Sequence, residues 1–365
     1  WVGDLLDGSS EDDLLPDMEQ PEAFEGQLRP YQLTGLRWLA FLSRFGIGSC
    51  LADDMGLGKT IQLIALLLQE RQQRGGSSPG PTLLVVPTSV VTNWSREIDK
   101  FAPTLRFHVQ HGTTRPLGAE FVSKAMESDV IITTYGLVHR DLETLNKLSW
   151  YRIALDEAQY IKNPPTKQAK AIRSLHGWHR AALTGTPVEN RLAELWSIMD
   201  FLNPGYLGSS ASFRRHFSRP IEQRRDPRTV ERLRRFVQPF ILRRVKTDAT
   251  VIDDLPECVQ TREYANLTGE QAKLYGQVVS SMLREVDRSE GMQRRGLVLA
   301  TLVKLKQICN HPMQYLNAGH SDDIDAPKQA AVGVQASRSG KARRLMTLLE
   351  EIVASGEGAI VFTQH

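Results

Sequence analysis

"DDMGLGKT", residues 53–60, follows the apolar Cys50-Leu51-Ala52 and opens the run "TIQLIALLLQER". In a phosphate-binding loop, glycines let backbone N–H groups curl around phosphate oxygens at the N-terminus of a helix. A lysine then reaches the β- and γ-phosphates, and the next hydroxyl holds Mg²⁺. Gly58, Lys59 and Thr60 meet those requirements, but Asp53 stands where the eight-residue pattern has its first glycine. Taken alone, the loop leaves a chance glycine-rich turn open.

"RIALDEAQ", 152–159, is an apolar strand ending in two carboxylates, 97 residues after Lys59. In a parallel sheet the carboxyl end of such a strand lies beside the phosphate loop, where ligands bind. Asp156 can hold a metal there, and Glu157 can orient or deprotonate an attacking water. Helix capping is the ordinary alternative for a lone Asp-Glu. It loses to "AALTGTP", 181–187, a third strand whose small hydroxylic end begins 28 positions after Asp156. Three strand-end polar clusters in this order argue for one nucleotide site.

The pattern around these strands is α/β. From Leu28 to about Asn203 helices alternate with short buried strands, at "SCLADD", "TLLVVP", "DVIITT", "RIALDE" and "AALTGT", with an extended piece at "RFHVQH". That alternation predicts a mostly parallel, doubly wound sheet. Residues 1–26, acidic and Pro-punctuated, read as a linker or arm; 204–316 is mainly helical, with Thr268 and Gln271 forming a capping box at one helix start. Residues 317–338 read as a flexible connector, and the helix "GKARRLMTLLEEIVASG" with the strand "AIVF" (359–362) opens a further α/β lobe.

Composition narrows the class. No apolar run approaches the roughly 18 residues of a membrane span. Residues 1–25 hold nine acids and no Lys or Arg, the reverse of a basic signal-peptide start. Cys50, Cys258 and Cys309 are too few and too scattered for a disulfide framework or a zinc site, so a reducing, intracellular setting is expected. Net charge is +3, yet Phe213–Lys246 carries twelve Arg or Lys against three acids, leaving −6 on the remainder. A block of that density predicts a polyanionic partner, with a solvated helical face as the bland alternative.

The ordered set "LRPYQLTGLRWL", "LADDMGLGKTIQ", "LLVVPTSVVTNW", "IITTY", "LDEAQ", "ALTGTPVENRLAELWS", "PFILRRVK", "LKQICNHP" and "SGKARRLMTLLEEI…AIVFTQ" resembles the consecutive motifs of the Swi/Snf-type helicase-like ATPases of superfamily two. The resemblance runs from about Leu28 to the end. "MGLGKT" and "DEAQ" are shared widely among helicases, "PFILRR" and "ICNHP" are particular to this family, and Asp at position 53 is normal within it.

The resemblance implies two RecA-like lobes with ATP and Mg²⁺ in the cleft, double-stranded DNA across both, and helical protrusions on each. Residues 27–203 form the first lobe, and 339–365 the start of a second. By position, Gln32 is implied to read the adenine edge, with Arg29 nearby, and Asp54, Met55, Gly56, Leu57, Gly58, Lys59 and Thr60 to form the nucleotide cradle. Lys59, Asp156 and Glu157 are implied as catalytic, with Thr60 and Asp156 on Mg²⁺. Gln159, Thr184, Gly185 and Thr186 are implied to couple nucleotide state to DNA grip.

Pro87, Thr88, Asn93, Thr133 and Thr134 lie in segments that contact a DNA strand in relatives, although Thr133 and Thr134 also fit as ordinary strand residues and Gln32 as a helix cap. Arg214, Arg215, Arg234 and Arg235 are the phosphate-binding candidates of the basic block. Trp38, Trp94 and Trp196 read as core aromatics. The chain begins at Trp1 and ends on the opening strand of the second lobe, so it is expected to be a fragment. The arginines that relatives bring across the cleft would then lie beyond His365, leaving little hydrolysis in these residues alone.

The expected activity is ATP-dependent translocation on duplex DNA and remodelling of a DNA-bound protein complex. A strand-separating DNA or RNA helicase, an RNA-polymerase-associated remodelling ATPase and a non-enzymatic DNA-binding scaffold are the alternatives.

Overall fold

The computed structural model describes residues 15, 17–185, 191–246, 261–286, 291–317 and 336–363. They belong to two compact units divided after Leu255. The first is built on seven strands: β1 (Ser49–Leu51), β2 (Thr82–Val86), β3 (Phe107–Val109), β4 (Val130–Thr134), β5 (Trp150–Leu155), β6 (Gly177–Leu183) and β7 (Ile241–Leu242). Their spatial order is β3-β4-β2-β5-β6-β1-β7, and every pairing is parallel.

Successive strand residues point to opposite faces, and here both faces are dry. Leu83 and Val85 of β2 enter one core while Leu84 and Val86 enter the other; Ile153 and Leu155 of β5 oppose Ala154 in the same way. The sheet is therefore covered on both sides, as all-parallel sheets require. Helices α1 (Pro30–Arg44), α2 (Lys59–Gln73) and α3 (Val91–Phe101) seal one face through Leu36, Leu39, Leu63, Trp94 and Ile98. Helices α4 (Gly118–Met126), α5 (Tyr135–Arg140), α6 (Lys167–Ser174) and α7 (Leu192–Leu202) seal the other through Phe121, Val138, Ile172 and Phe201. The strands expected from the sequence form in a doubly wound arrangement, and the extended piece "RFHVQH" joins them as the edge strand β3.

The seventh was not expected. Residues 204–246 read as helical, and α8 (Arg219–Arg224) and α9 (Pro227–Val237) do form, yet the chain then returns to the sheet as β7 beside β1. Two paired residues are too few for a period-2 signal. The first unit therefore extends well past Asn203. Phe213, Phe217, Leu233 and Val237 enter its core, so the basic helices are amphipathic rather than polar all round. The acidic arm is docked where it is described. Phe24 stacks on Phe101 with ring centroids 5.6 Å apart, and the Glu25 N–H donates to the Phe101 carbonyl at 2.8 Å. Residues 1–14 of that arm lie outside the described residues.

In the second unit the capping box forms as read. The Thr268 N–H donates to Gln271 Oε1 (3.0 Å), and the Gln271 N–H donates to Thr268 Oγ1 (3.2 Å). Helices α10 (Gly269–Val286), α11 (Gly291–Asn310), α12 (Pro312–Asn317) and α13 (Gly340–Ala354) follow. Buried Gln271 also ties α11 to α13: its Nε2 donates to the Ile308 carbonyl and its Oε1 accepts from the Gly340 N–H. The expected strand "AIVF" is absent: residues 357–363 form no regular element, and Phe362 is 90% exposed. A strand needs a neighbour, and no other strand occurs among the described residues of this unit. Most of the expected connector (318–335) lies outside the described residues.

One ion pair inside the first unit ties sheet to helix. Arg152 of β5 donates Nη1 to Glu70 Oε2 (2.5 Å) and Nη2 to Glu70 Oε1 (2.6 Å), and both side chains are buried. Removing one partner strands a buried charge. Arg152→Leu is therefore expected to cost about 3–5 kcal/mol of stability in urea unfolding; a loss below about 1 kcal/mol would show that Glu70 rehydrates freely.

Candidate functional site

Parallel strands place all their carboxyl ends on one edge, and the candidate residues gather there. After β1 the chain turns through Gly56 (φ +85°) and Gly58 (φ +74°), backbone conformations that favour glycine. Gly58 caps α2, so the turn of N–H groups that opens this helix faces the sheet edge. Lys59 Nζ donates to the carbonyls of Asp53 (2.6 Å) and Asp54 (3.2 Å). Burial lowers the pKa of this ammonium, while Glu157, Asp53 and Asp156 oppose the shift. Thr60 follows in the first turn, half-buried.

Gln32 does both local jobs available to it. Its Oε1 accepts from the Arg29 N–H (3.0 Å), capping α1, and its Nε2 donates to the Leu57 carbonyl (3.3 Å). The cap reading of Gln32 thus holds in this structure, with the amide resting on the loop.

Asp53, the departure from the generic pattern, is fully buried. The Arg244 backbone N–H (3.1 Å) and Nε (3.0 Å) donate to Asp53 Oδ1, and Nη2 donates to Oδ2. Arg244 also donates to the Tyr31 carbonyl through Nη1 and to Gln62 Oε1 (2.8 Å) through Nη2. Main-chain bonds flank the clasp, from the Ala52 N–H to the Leu242 carbonyl (2.7 Å) and from the Asp54 N–H to the Arg244 carbonyl (3.0 Å). Arg244 of the basic block is thus built into the phosphate loop rather than offered to DNA. The sequence signal was "PFILRR" itself, an apolar pair followed by arginines.

Asp156 and Glu157 follow β5. Asp156 Oδ2 accepts from Trp94 Nε1 (2.7 Å) and Oδ1 from the Glu157 N–H (2.9 Å). Burial, with a further push from Glu157, raises the Asp156 pKa above the ordinary carboxylate value, against the pull of the Trp94 bond. Glu157 sits at φ +52°, an unusual conformation for a residue with a side chain. From it runs a chain of bonds: Gln159 Nε2 donates to Glu157 Oε2 (2.7 Å), and Thr184 Oγ1 donates to Gln159 Oε1 (3.0 Å). The structure thus joins three of the residues read as coupling elements or their carboxylate partner; Gly185 follows at the β6 end, and Thr186 lies outside the described residues.

The other candidates divide. Thr88 and Asn93 are exposed beyond β2, Asn93 bonding Glu97, whereas Pro87 is buried. Thr133 and Thr134 are 1% and 4% exposed, and Thr133 Oγ1 donates to the Gln110 carbonyl. Their side chains are interior strand side chains, which fits the second of the two readings given for them. Arg214, Arg215, Arg234 and Arg235 are exposed, with Arg235 paired to Glu231 at 3.2 Å. Trp38, Trp94 and Trp196 are core residues, as expected. Among the described residues no helix is long and apolar enough to cross a membrane.

A glycine-built loop after β1 at a helix start, with two carboxylates after β5, separated from β1 by β6 alone, on the same sheet edge, defines a RecA-like phosphate-loop unit. The comparisons take this to the family. The SNF2-related domain matches residues 31–314, and the chain belongs to that family. YwqA of Bacillus subtilis is 45% identical over 351 residues, covering 96% of this chain and 37% of its own length. The ISWI chromatin-remodeling complex ATPase ISW1 of Saccharomyces cerevisiae is 32% identical over 95% of this chain and 30% of its own. The Sulfolobus solfataricus SWI2/SNF2 ATPase core, solved in complex with dsDNA, is 41% identical with a TM-score of 0.61, over 96% of this chain and 69% of that one. The chain thus spans little more than a third of YwqA.

The Asp53–Arg244 clasp makes a coupled pair. Arg244→Met leaves a buried, unpaired carboxylate and is expected to cost about 3–5 kcal/mol. Adding Asp53→Asn should recover more than half of it. Denaturation midpoints of the two single variants and the double variant test this, and additive losses would show no coupling.

Proposed function

We propose that this chain binds ATP at the 54–60 loop and belongs to an ATP-dependent translocase that moves on double-stranded DNA without obligatory strand separation. The observation that carries the reading is the meeting, on one sheet edge, of the Lys59 loop with the Asp156–Glu157 pair. Support for the DNA partner comes from the Sulfolobus relative solved with dsDNA and from the remodelling ATPase ISW1. A DNA-bound protein is the proposed object of the movement, and an intracellular, DNA-associated location follows.

In this reading Lys59 leaves the Asp53 and Asp54 carbonyls to meet phosphate oxygens, and the loop N–H groups complete the cradle. Thr60 and Asp156 supply the hard oxygen donors that suit Mg²⁺, and the raised pKa of Asp156 marks a carboxylate that a nearby cation would stabilise. When bound, that ion neutralises charge on the β- and γ-phosphates. Glu157 accepts a proton from, or orients, the attacking water. The Glu157–Gln159–Thr184 chain then carries the state of that carboxylate to the end of β6. The exposed arginines of α8, α9 and the turn before them hold phosphates without reading sequence.

Three outcomes are expected. In the protein containing both lobes, Lys59→Ala should abolish ATP-dependent activity. Glu157→Gln should retain ATP binding and stop hydrolysis, and wild-type turnover from it would remove Glu157 from the mechanism. For the basic face, Arg214→Ala with Arg215→Ala, or Arg234→Ala with Arg235→Ala, should lower DNA affinity. Every arginine–phosphate pairing removed in this way should flatten the slope of log K against log salt by about 0.9. Unchanged affinity and slope would return these residues to a solvated surface.

A further inference from the structure

The strap that carries Arg244 continues through Val245 to Lys246, and its last described residue ends over the phosphate loop. The Lys246 N–H donates to Asp54 Oδ2 at 3.1 Å, holding the strap backbone against the loop. Its ammonium reaches further: Nζ lies 2.7 Å from where a Cβ on Gly56 would stand. Gly56 has a positive φ, and the ammonium of Lys246 occupies the space beside its Cα.

Nothing nearby explains that placement as an ion pair. Among the described residues no carboxylate oxygen lies within 4.0 Å of Lys246 Nζ. Asp54 takes the Lys246 main-chain N–H and a long approach from Arg243 at 4.0 Å instead. A long, exposed lysine would ordinarily extend into water, where its rotamer freedom is kept. Here two independent anchors, the Arg244 clasp on Asp53 and the main-chain bond to Asp54, aim it at the loop. Lys59 approaches the same loop from α2.

We propose that Lys246 is a second phosphate-binding cation of the nucleotide site, delivered by the Arg244–Asp53 clasp; the proposal rests on the nucleotide reading given above. Phosphate oxygens entering the cradle meet Lys59 from the helix and Lys246 from the strap, so the loop is gripped by cations from two separate segments. Arg244 is a positioning residue, since it touches the loop and not the ligand.

Calorimetric titration of the 365-residue chain with MgATP and MgADP tests this, using Lys246→Ala, Lys246→Arg and Lys59→Ala. Because the Lys246 side chain is exposed, Lys246→Ala should melt within about a degree or two of wild type. It should nonetheless weaken nucleotide binding by roughly tenfold or more, the usual effect of removing one charge-assisted hydrogen bond. Lys246→Arg should restore most of the affinity. If Lys246→Ala binds as wild type while Lys59→Ala does not, the proposal is overturned and the nucleotide site stands. If Lys246→Arg is as weak as Lys246→Ala, the weakening is not one of charge, and the proposal also fails. If Lys59→Ala binds as wild type too, the nucleotide reading itself is wrong.

Discussion

A carboxylate buried where a phosphate loop ordinarily needs only glycine sets the terms for the rest of the first unit. Asp53 has no water to solvate it, and an unpaired charge in that position is too costly to keep. Arg244 answers it with three bonds, but Arg244 lies 191 residues later in the chain. The pair can form only if the chain returns to β1 after the helical excursion, and β7 is the short strand that brings it there. The same requirement positions Tyr31, Gln62 and the main chain of Asp54, each bonded to Arg244. Loop shape, sheet edge and the α1 entry are thus consequences of one ion pair.

The opposite side of the site reaches the same end with different chemistry. Trp94, a core aromatic of α3, turns its indole N–H to Asp156. The Tyr135 hydroxyl donates to the Asp156 carbonyl at 2.7 Å, steadying the turn that holds Glu157 at positive φ. Such a conformation persists only where its surroundings over-determine it. Here those surroundings are the tyrosine beneath, the Gln159 amide ahead and the Asp156 carboxylate on the Glu157 N–H. Packing side chains therefore also orient the carboxylates.

The strands of the sheet were legible because buried parallel strands are short continuous apolar runs, as in "TLLVVP" and "DVIITT". The loop was legible from Gly58-Lys59-Thr60 and the carboxylates from their place after "RIAL". β7 was not, since two paired residues leave no period. The clasp was not, because a salt bridge across 191 positions leaves no trace of its pairing: "PFILRR" showed as a motif without a partner, and Asp53 only as an exception to a pattern. Thr133 and Thr134 left two readings open in the sequence for a related reason. The resemblance places them in a segment that contacts DNA in relatives, and the burial of their side chains in β4, between β3 and β2, is a property of the folded sheet that no local pattern states. The terminal strand failed because an apolar run states a capacity for pairing and cannot supply the partner.

The electrostatics of the edge point the same way as its geometry. Burial makes the Lys59 charge harder to keep, and burial together with Glu157 does the same for Asp156. Each group partly relieves the other, since Asp156 and Glu157 raise the Lys59 pKa while Lys59 lowers that of Asp156. Their balance rests on other partners: the ammonium lies on carbonyls, and the Asp156 carboxylate on an indole and an amide. A polyphosphate alone would satisfy Lys59 and repel Asp156. A divalent cation alone would satisfy Asp156 and repel Lys59. A metal–nucleotide pair satisfies both at once, which is the physical reason an edge carrying both signs, each held short of full compensation, fits that ligand better than either of its parts.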